Sequence, residues 1–229
     1  MKSVLGRFWS TDRSLAVLLA LLGMMLFVVL PMEELGMVGR VVIVVGFSLI
    51  LVSGVGAVAK SRVPTVLVGG LVVTNLAVHW LAFWRGGADL AAWDATVSLV
   101  FCGALAVVVL VQVFREGPIT AQRIEGAVAI YLLLGLGWAF AYTLVAIARP
   151  DAFAFPAGTG GALGKDPTWR FVYFSFVTLT TVGYGDITAA HPVARSLVLC
   201  EALVGQLFPA ILLARLVSLE IHHRQSRNR

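Results

Sequence analysis

The sequence predicts an all-α integral membrane protein, with six transmembrane helices in each subunit and a short helix that re-enters the membrane before the sixth. Of the 229 residues, 59% are hydrophobic and only 13% are charged, and the mean hydropathy is +0.94. A soluble domain of this length does not have such a composition. The Lys and Arg behind the net charge of +5 stand in short segments between apolar runs. They indicate membrane orientation rather than nucleic-acid binding.

Four apolar runs fill the first half of the chain. They follow a basic leader, residues 1–13, which is expected in the cytoplasm. The predicted spans are Ser14–Met32, Val41–Ala59, Val63–Trp84 and Ala95–Phe114. Each is close to the ~20 residues that cross a hydrocarbon core. Residues 14–114 are therefore predicted to form a four-helix peripheral domain.

The second half has a different order of segments. A linker, residues 115–123, leads to a second domain, residues 124–217, and a basic tail, residues 218–229, follows it. Within that domain the predicted elements are a span at Ile124–Ala148, a Pro- and Gly-rich loop at 149–168, a helix at Pro167–Leu179 capped by Asp166, and a span at Val193–Val217. Most of the 17 Lys and Arg fall on the cytoplasmic side when both termini are placed there. This bias favours six spans in the plasma membrane, which is the inner membrane of a bacterial cell.

The segment Thr180–Asp186 reads Thr-Thr-Val-Gly-Tyr-Gly-Asp, with glycine at alternate positions. Glycine accepts backbone angles that are closed to other residues, so successive carbonyls can face one way. Four such strands around an axis would offer rings of oxygens in place of the water shell of an alkali cation. An isolated Gly-Tyr-Gly would indicate only a turn, but here a short helix precedes it and a long apolar run follows.

This motif resembles the filter of the potassium channel superfamily, in the bacterial form with six transmembrane helices and the layout of a voltage-gated channel. The ion selectivity is recognised from the known motif and is not deduced from the residues. The resemblance implies a homotetramer that conducts K⁺ passively, with a pore domain at 124–217. By the same resemblance, the K⁺ ligands are Thr181, Val182, Gly183 and Tyr184, and the supporting residues are Thr180, Gly185, Asp186 and Tyr173.

Further expectations concern partners and the residue Val177. Only K⁺ ions are expected in the filter, with no organic cofactor, and no enzyme motif is present. The expected partners are further copies of the chain and the lipid bilayer, without nucleic acid and without a soluble regulatory domain. Some bacterial relatives pair a glutamate near Val177 with the filter aspartate, which the valine here cannot do. The resemblance places Tyr173 or Phe174 in the aromatic region behind the filter, and of these two only Tyr173 can donate a hydrogen bond to Asp186; the pairing itself stays open.

The sixth span contains a glycine, a proline and several polar residues, and the sequence leaves more than one role for them. Gly205 matches the position of the gating-hinge glycine of the family and Pro209 follows one turn later, but Gly205 also suits close helix packing. Glu201 either faces the cavity below the filter or is a hydrogen-bonded prop behind it. Gln206 lies about 140° from Glu201 around the helix, so the two are not expected to face the axis together. Arg215 either lines a gate or extends to the interface.

The peripheral domain departs from its voltage-gated relatives. Their fourth helix carries several arginines at three-residue spacing, whereas Ala95–Phe114 carries none, so a conventional voltage sensor is not expected. Asn75 and His79 share one helix face. They are expected to form either an interhelical hydrogen bond or a proton-sensing site. Cys102 and Cys200 stand in apolar runs, and no disulfide is expected.

Two other functions are alternatives for the whole chain. One is a potassium uptake system with repeated, degenerate filters, which the single filter copy disfavours. The other is a sensor whose first four helices recognise a lipid or small ligand. The sequence does not decide how the pore opens. Voltage, pH, lipid, tension and constitutive opening are all left as alternatives.

Overall fold

The structure is a computed structural model that describes residues 11–29, 36–58, 62–114, 120–156 and 167–227. Within these ranges it contains seven α-helices, one π-helical segment and two short strands. In chain order they are α1 (Thr11–Met24), the π-helical segment (Met25–Val29), α2 (Met37–Val58), α3 (Arg62–Arg85), α4 (Ala88–Val113), α5 (Ala121–Ala148), β1 (Phe153–Ala154), α6 (Pro167–Leu179), β2 (Thr188–Ala189) and α7 (Pro192–Arg227).

Five of these helices, α2, α3, α4, α5 and α7, have apolar segments long enough to cross a membrane. The chain is therefore a multi-pass membrane protein. The first apolar stretch, Ser14–Val28, is a shorter helix of the 10–17 residue class. A sixth span through Met32 stays a prediction, because residues 30–35 lie outside the described ranges.

The predicted start of the fourth span is wrong. Helix α4 begins at Ala88 rather than Ala95, so Asp89 and Asp94 belong to its first two turns. Asp89 lies at the positive end of the helix dipole and Asp94 has a partner on α3, which makes both charges compatible with helix. The apolar part of α7, Pro192–Arg215, agrees with the predicted span, and the helix itself continues through Arg227, so most of the predicted tail is helical.

Helix α6 has the bounds that the sequence predicted, Pro167–Leu179. Several other predicted features cannot be compared with the structure. They lie outside the described residues: 1–10 of the leader, the acidic pair Glu33–Glu34, the basic residue Lys60, 115–119 of the linker, 157–166 of the loop with the cap Asp166, and 228–229 of the tail.

Helix α5 occupies the centre of the fold and contacts α1, α4, α6 and α7. Where it meets α6, an aromatic cluster fills the interface. The ring centroids of Phe153 and Phe171 are 4.7 Å apart, and Tyr142 lies 5.2 Å from Phe174. Burying large rings contributes strongly to packing, so this cluster fixes α6 against α5.

The two short strands pair in antiparallel fashion, with Phe153 opposite Ala189 and Ala154 opposite Thr188. The backbone N–H of Ala190 also donates to the carbonyl of Ala152, at 2.8 Å. The segment that follows residues 180–186 is thereby attached to the segment that follows α5.

Gly205 on α7 is the point of closest approach to the end of α6. A Cβ atom at this position would lie 2.0 Å from the carbonyl oxygen of Leu179 and 3.0 Å from its Cα. Because both contacts are to backbone, no side-chain rotation can make room. Gly205 is therefore a close-packing site in this structure, and a gating-hinge role for it stays a prediction.

Replacing Gly205 with alanine should destabilise the protein by about 1–3 kcal/mol or more, because an added methyl group must displace the α6 backbone. The measurement is thermal unfolding in detergent, followed by circular dichroism. Gly103→Ala is the matched control, since a Cβ at Gly103 on α4 meets nothing within 4 Å. If both variants unfold at the same temperature, the close contact between α7 and Leu179 does not exist in solution.

Candidate functional site

The segment after α6 has an alternating backbone conformation. Thr181, Gly183 and Gly185 have positive φ angles of 61°, 56° and 77°. Val182 and Tyr184, which stand between them, do not have positive φ. Thr181 is also the one non-glycine residue with positive φ in the described ranges, a conformation that is strained for a side chain branched at Cβ.

Hydrogen bonds turn the amide groups of this segment towards α6. The N–H groups of Val182 and Gly183 both donate to the carbonyl of Val177, at 3.0 and 3.3 Å. In a planar trans peptide the carbonyl points opposite to the N–H of the next residue. The carbonyls of Thr181 and Val182 therefore point away from α6. Val182 and Tyr184 in the same segment are 52% and 71% exposed.

Asp186, at the end of the segment, lies beside Tyr173 of α6. Burial, and after it the interaction with the nearby Asp186 carboxylate, raises the pKa of the Tyr173 hydroxyl. The two side chains are therefore neighbours, and the supporting role expected of this pair stays a prediction. Thr180 makes a local bond, because its hydroxyl donates to the carbonyl of Phe176 at 2.6 Å.

The last carbonyl of α6, that of Leu179, has a partner from another helix. Carbonyls at the end of a helix lack an intrahelical donor. The hydroxyl of Tyr131 on α5 donates to the carbonyl oxygen of Leu179 at 3.1 Å. The same oxygen lies against Gly205 of α7. Two helices therefore fix the point at which the alternating segment begins.

Helix α7 contacts the same segment through Gln206. Its side-chain amide donates to the hydroxyl of Thr181 at 3.1 Å. Pro209 lies inside the continuous helix α7 and is exposed, as is Arg215 near the end of the apolar span.

Glu201 lies on the other side of α7, where it is 0% exposed. Its carboxyl group contacts the hydroxyls of Tyr142 on α5 and Ser175 on α6. This position is inside the subunit, behind α6, and differs from the exposed position of Gln206. Of the two hypotheses for Glu201, the geometry matches a hydrogen-bonded prop.

Sequence reasoning did not identify Tyr131, Tyr142, Ser175 and Gly135 as part of this region. The hydroxyl groups of Tyr131, Tyr142 and Ser175 were a signal, because a hydroxyl group within an apolar segment needs a hydrogen-bond partner. Their sequence positions alone do not show which helix supplies each partner.

Polar pairs also join α3 and α4 in the peripheral domain. Asn75 and Ser98 exchange hydrogen bonds at 3.3 Å, and His79 lies 2.9 Å from the carboxylate of Asp94. Asn75 and His79 therefore make interhelical contacts, as the hydrogen-bond hypothesis expected. Within the described ranges no cluster of three or more His, Cys, Asp or Glu could hold a metal ion, and Cys102 and Cys200 are free.

Comparison with known proteins defines the class to which this site corresponds. A protein family described as "Ion channel" matches residues 152–221, the region that holds α6, the alternating segment and most of α7. This similarity, together with the five apolar helices, supports a channel function.

Two individual proteins are similar to parts of the chain. Protein LctB of Bacillus caldotenax is 28% identical over 121 residues, which cover 53% of this chain and 90% of LctB. Two pore potassium channel c of Oryza sativa subsp. japonica is 40% identical over 83 residues, which cover 35% of this chain and only 18% of the rice protein. No solved structure matches the chain significantly.

Replacing Tyr131 with phenylalanine removes one hydroxyl and leaves the Leu179 carbonyl without that donor. We expect a loss of about 1–3 kcal/mol in the free energy of unfolding, because the carbonyl stays buried between helices. Chemical denaturation in detergent micelles measures it. Thr74→Val is the control, because the Thr74 hydroxyl is exposed and bonds only within its own helix. Equal stability of the two variants would show that the Tyr131 bond does not hold α6 in place.

Proposed function

We propose that this chain is one subunit of a homotetrameric channel that conducts K⁺ selectively and passively across the membrane. The observation that carries the proposal is the conformation of residues 181–185. The positive φ angles alternate, and the amide groups of Val182 and Gly183 are bonded to α6. Carbonyl oxygens that face away from α6 are available to a cation.

The proposed ligands are the backbone carbonyls of Thr181–Tyr184 together with the Thr181 hydroxyl. Rings of such oxygens, one set from each subunit, replace the water shell of K⁺. Asp186 and Tyr173 hold the outer end of the filter, while Thr180 and Gly185 support its two ends. The name of the rice relative, a potassium channel, supports K⁺ as the ion.

A tetramer is proposed because one strand of oxygens cannot surround an ion. The exposed face of α7 supports assembly, because it offers large apolar side chains beside the filter. They are Val193, Leu199, Leu203, Leu207 and Ile211. In the tetramer this face would contact neighbouring subunits or lipid, with the filter strands around the shared axis.

Gating by a conventional arginine voltage sensor is not part of the proposal. Helix α4 contains no Lys or Arg between Ala88 and Val113. Moving charge through the membrane field is what supplies the work of voltage gating. The uncharged middle of α4 and its neutral polar pair, Asn75 with Ser98, suit a structural role for the peripheral domain.

Purified protein in liposomes should pass K⁺ far faster than Na⁺, and Ba²⁺ should block the flux. Gly183→Ala should abolish the discrimination, because an L-residue at φ +56° is strained by about 1–2 kcal/mol in each subunit. Isotope flux with each cation measures both rates.

Gly36→Ala is the matched control for this variant. Gly36 has a φ of +62°, with nothing within 4 Å of an added Cβ, so it suffers the same strain outside the filter. The control should keep the K⁺ to Na⁺ flux ratio of the unmodified protein. Equal K⁺ and Na⁺ fluxes through the unmodified protein would reject the proposed selectivity.

A further inference from the structure

Three helices meet at the carboxyl group of Glu201. Glu201 stands on α7, Ser175 on α6, and Tyr142 and Gly135 on α5. The side chains of Glu201 and Ser175 are 0% exposed, as is that of Tyr142. Gly135 permits the approach of α6, because a Cβ there would lie 2.5 Å from the ring of Phe176.

The oxygen atoms at this junction form a chain of three close contacts. Tyr142 Oη contacts Glu201 Oε2. Glu201 Oε1 lies 2.5 Å from Ser175 Oγ, which in turn lies 2.7 Å from the carbonyl oxygen of Gly135. Each contact is short enough to need a hydrogen atom between its two oxygens.

The available protons can be counted. The Tyr142 hydroxyl supplies one proton and the Ser175 hydroxyl supplies one, while a backbone carbonyl supplies none. Because Gly135 can only accept, the Ser175 proton belongs in the contact with Gly135. The contact between Ser175 and Glu201 then needs a third proton, and the carboxyl group of Glu201 is the group that can carry it.

Among the described residues, none supplies a counter-charge to a Glu201 carboxylate. Among the residues that the structure describes, no Lys, Arg or His forms a salt bridge with Glu201. The nearby titratable side chains are Tyr142 and Tyr131 on α5 and Cys200 on α7, all neutral in their usual forms. An ionised carboxylate removed from water without a counter-charge is strongly disfavoured.

We infer that Glu201 is held as a neutral carboxylic acid that donates to Ser175 and accepts from Tyr142. In this form it is a positioning residue, because it joins the inner helix α7 to α6 directly behind the filter. The continuous chain runs from Tyr142 through Glu201 and Ser175 to Gly135, with every proton used once. The positioning role rests on the proposed pore, whereas the protonation does not.

Infrared spectroscopy tests the protonation without any ion flux. At pH 7, the difference spectrum of the unmodified protein minus Glu201→Gln should contain the C=O stretch of a protonated carboxyl group. Labelling the protein with ¹³C-glutamate, which labels Glu201, should shift that band. A difference spectrum with only carboxylate bands would overturn the inference, whatever the channel conducts.

Flux measurements test the positioning role. The amide of Glu201→Gln can accept from Tyr142 and donate to Ser175, so this variant should keep the K⁺ to Na⁺ flux ratio. Glu201→Leu breaks both bonds and should lower the ratio about tenfold, which corresponds to about 1.4 kcal/mol. Ser175→Ala, which removes only one hydroxyl, should shift the ratio in the same direction and serves if Glu201→Leu does not assemble.

The outcomes separate the two proposals. If Glu201→Gln loses selectivity as Glu201→Leu does, the junction needs a charge and the inference is wrong. If Ser175→Ala keeps full selectivity, the junction does not position the filter. If the unmodified protein fails to discriminate K⁺ from Na⁺ while the infrared band is present, the proposed function fails and the protonation of Glu201 stands.

Discussion

The contact between Gly205 and the carbonyl of Leu179 determines where the alternating segment, residues 180–186, begins. That carbonyl ends α6, accepts from Tyr131 on α5, and lies against the backbone of α7. From this fixed point the chain turns, and the amides of residues 182 and 183 bond back to Val177. The direction of the carbonyls of Thr181 and Val182 therefore depends on how closely α6 and α7 approach. A larger residue in place of Gly205 would move the start of the alternating segment, although its added atoms would meet only Leu179.

Much of the fold could be predicted from the sequence, because apolar runs show their length directly. The bounds of α6 followed from the proline at its first position and from the polar segment after it. The alternating glycines indicated the positive φ angles at Gly183 and Gly185, where an L side chain would be strained. The start of α4 was wrong because Asp89 and Asp94 look like loop residues until the partner His79 is known.

The partners of Glu201 could not be predicted, for a physical reason. Helices that are apolar on every face have no periodic pattern that shows which side faces a neighbour. The rotation of α5 about its axis is therefore not encoded in its local sequence. It follows from packing, above all from the aromatic cluster around Tyr142 and from the fit of Phe176 against Gly135. Once that rotation is set, Tyr142 and Ser175 face Glu201.

Pro209 gives α7 two mechanically different halves. A proline has no N–H, so the carbonyl four residues earlier loses its helical donor, and here that carbonyl belongs to Gly205. The first half of α7 is anchored through Glu201, Gly205 and Gln206. The second half lies beyond these contacts and extends to Arg227. The weakened turn lies at the boundary between them. Force applied to the distal half would accordingly bend α7 near Pro209 and leave the anchored first half, with its contacts to α5 and α6, in place.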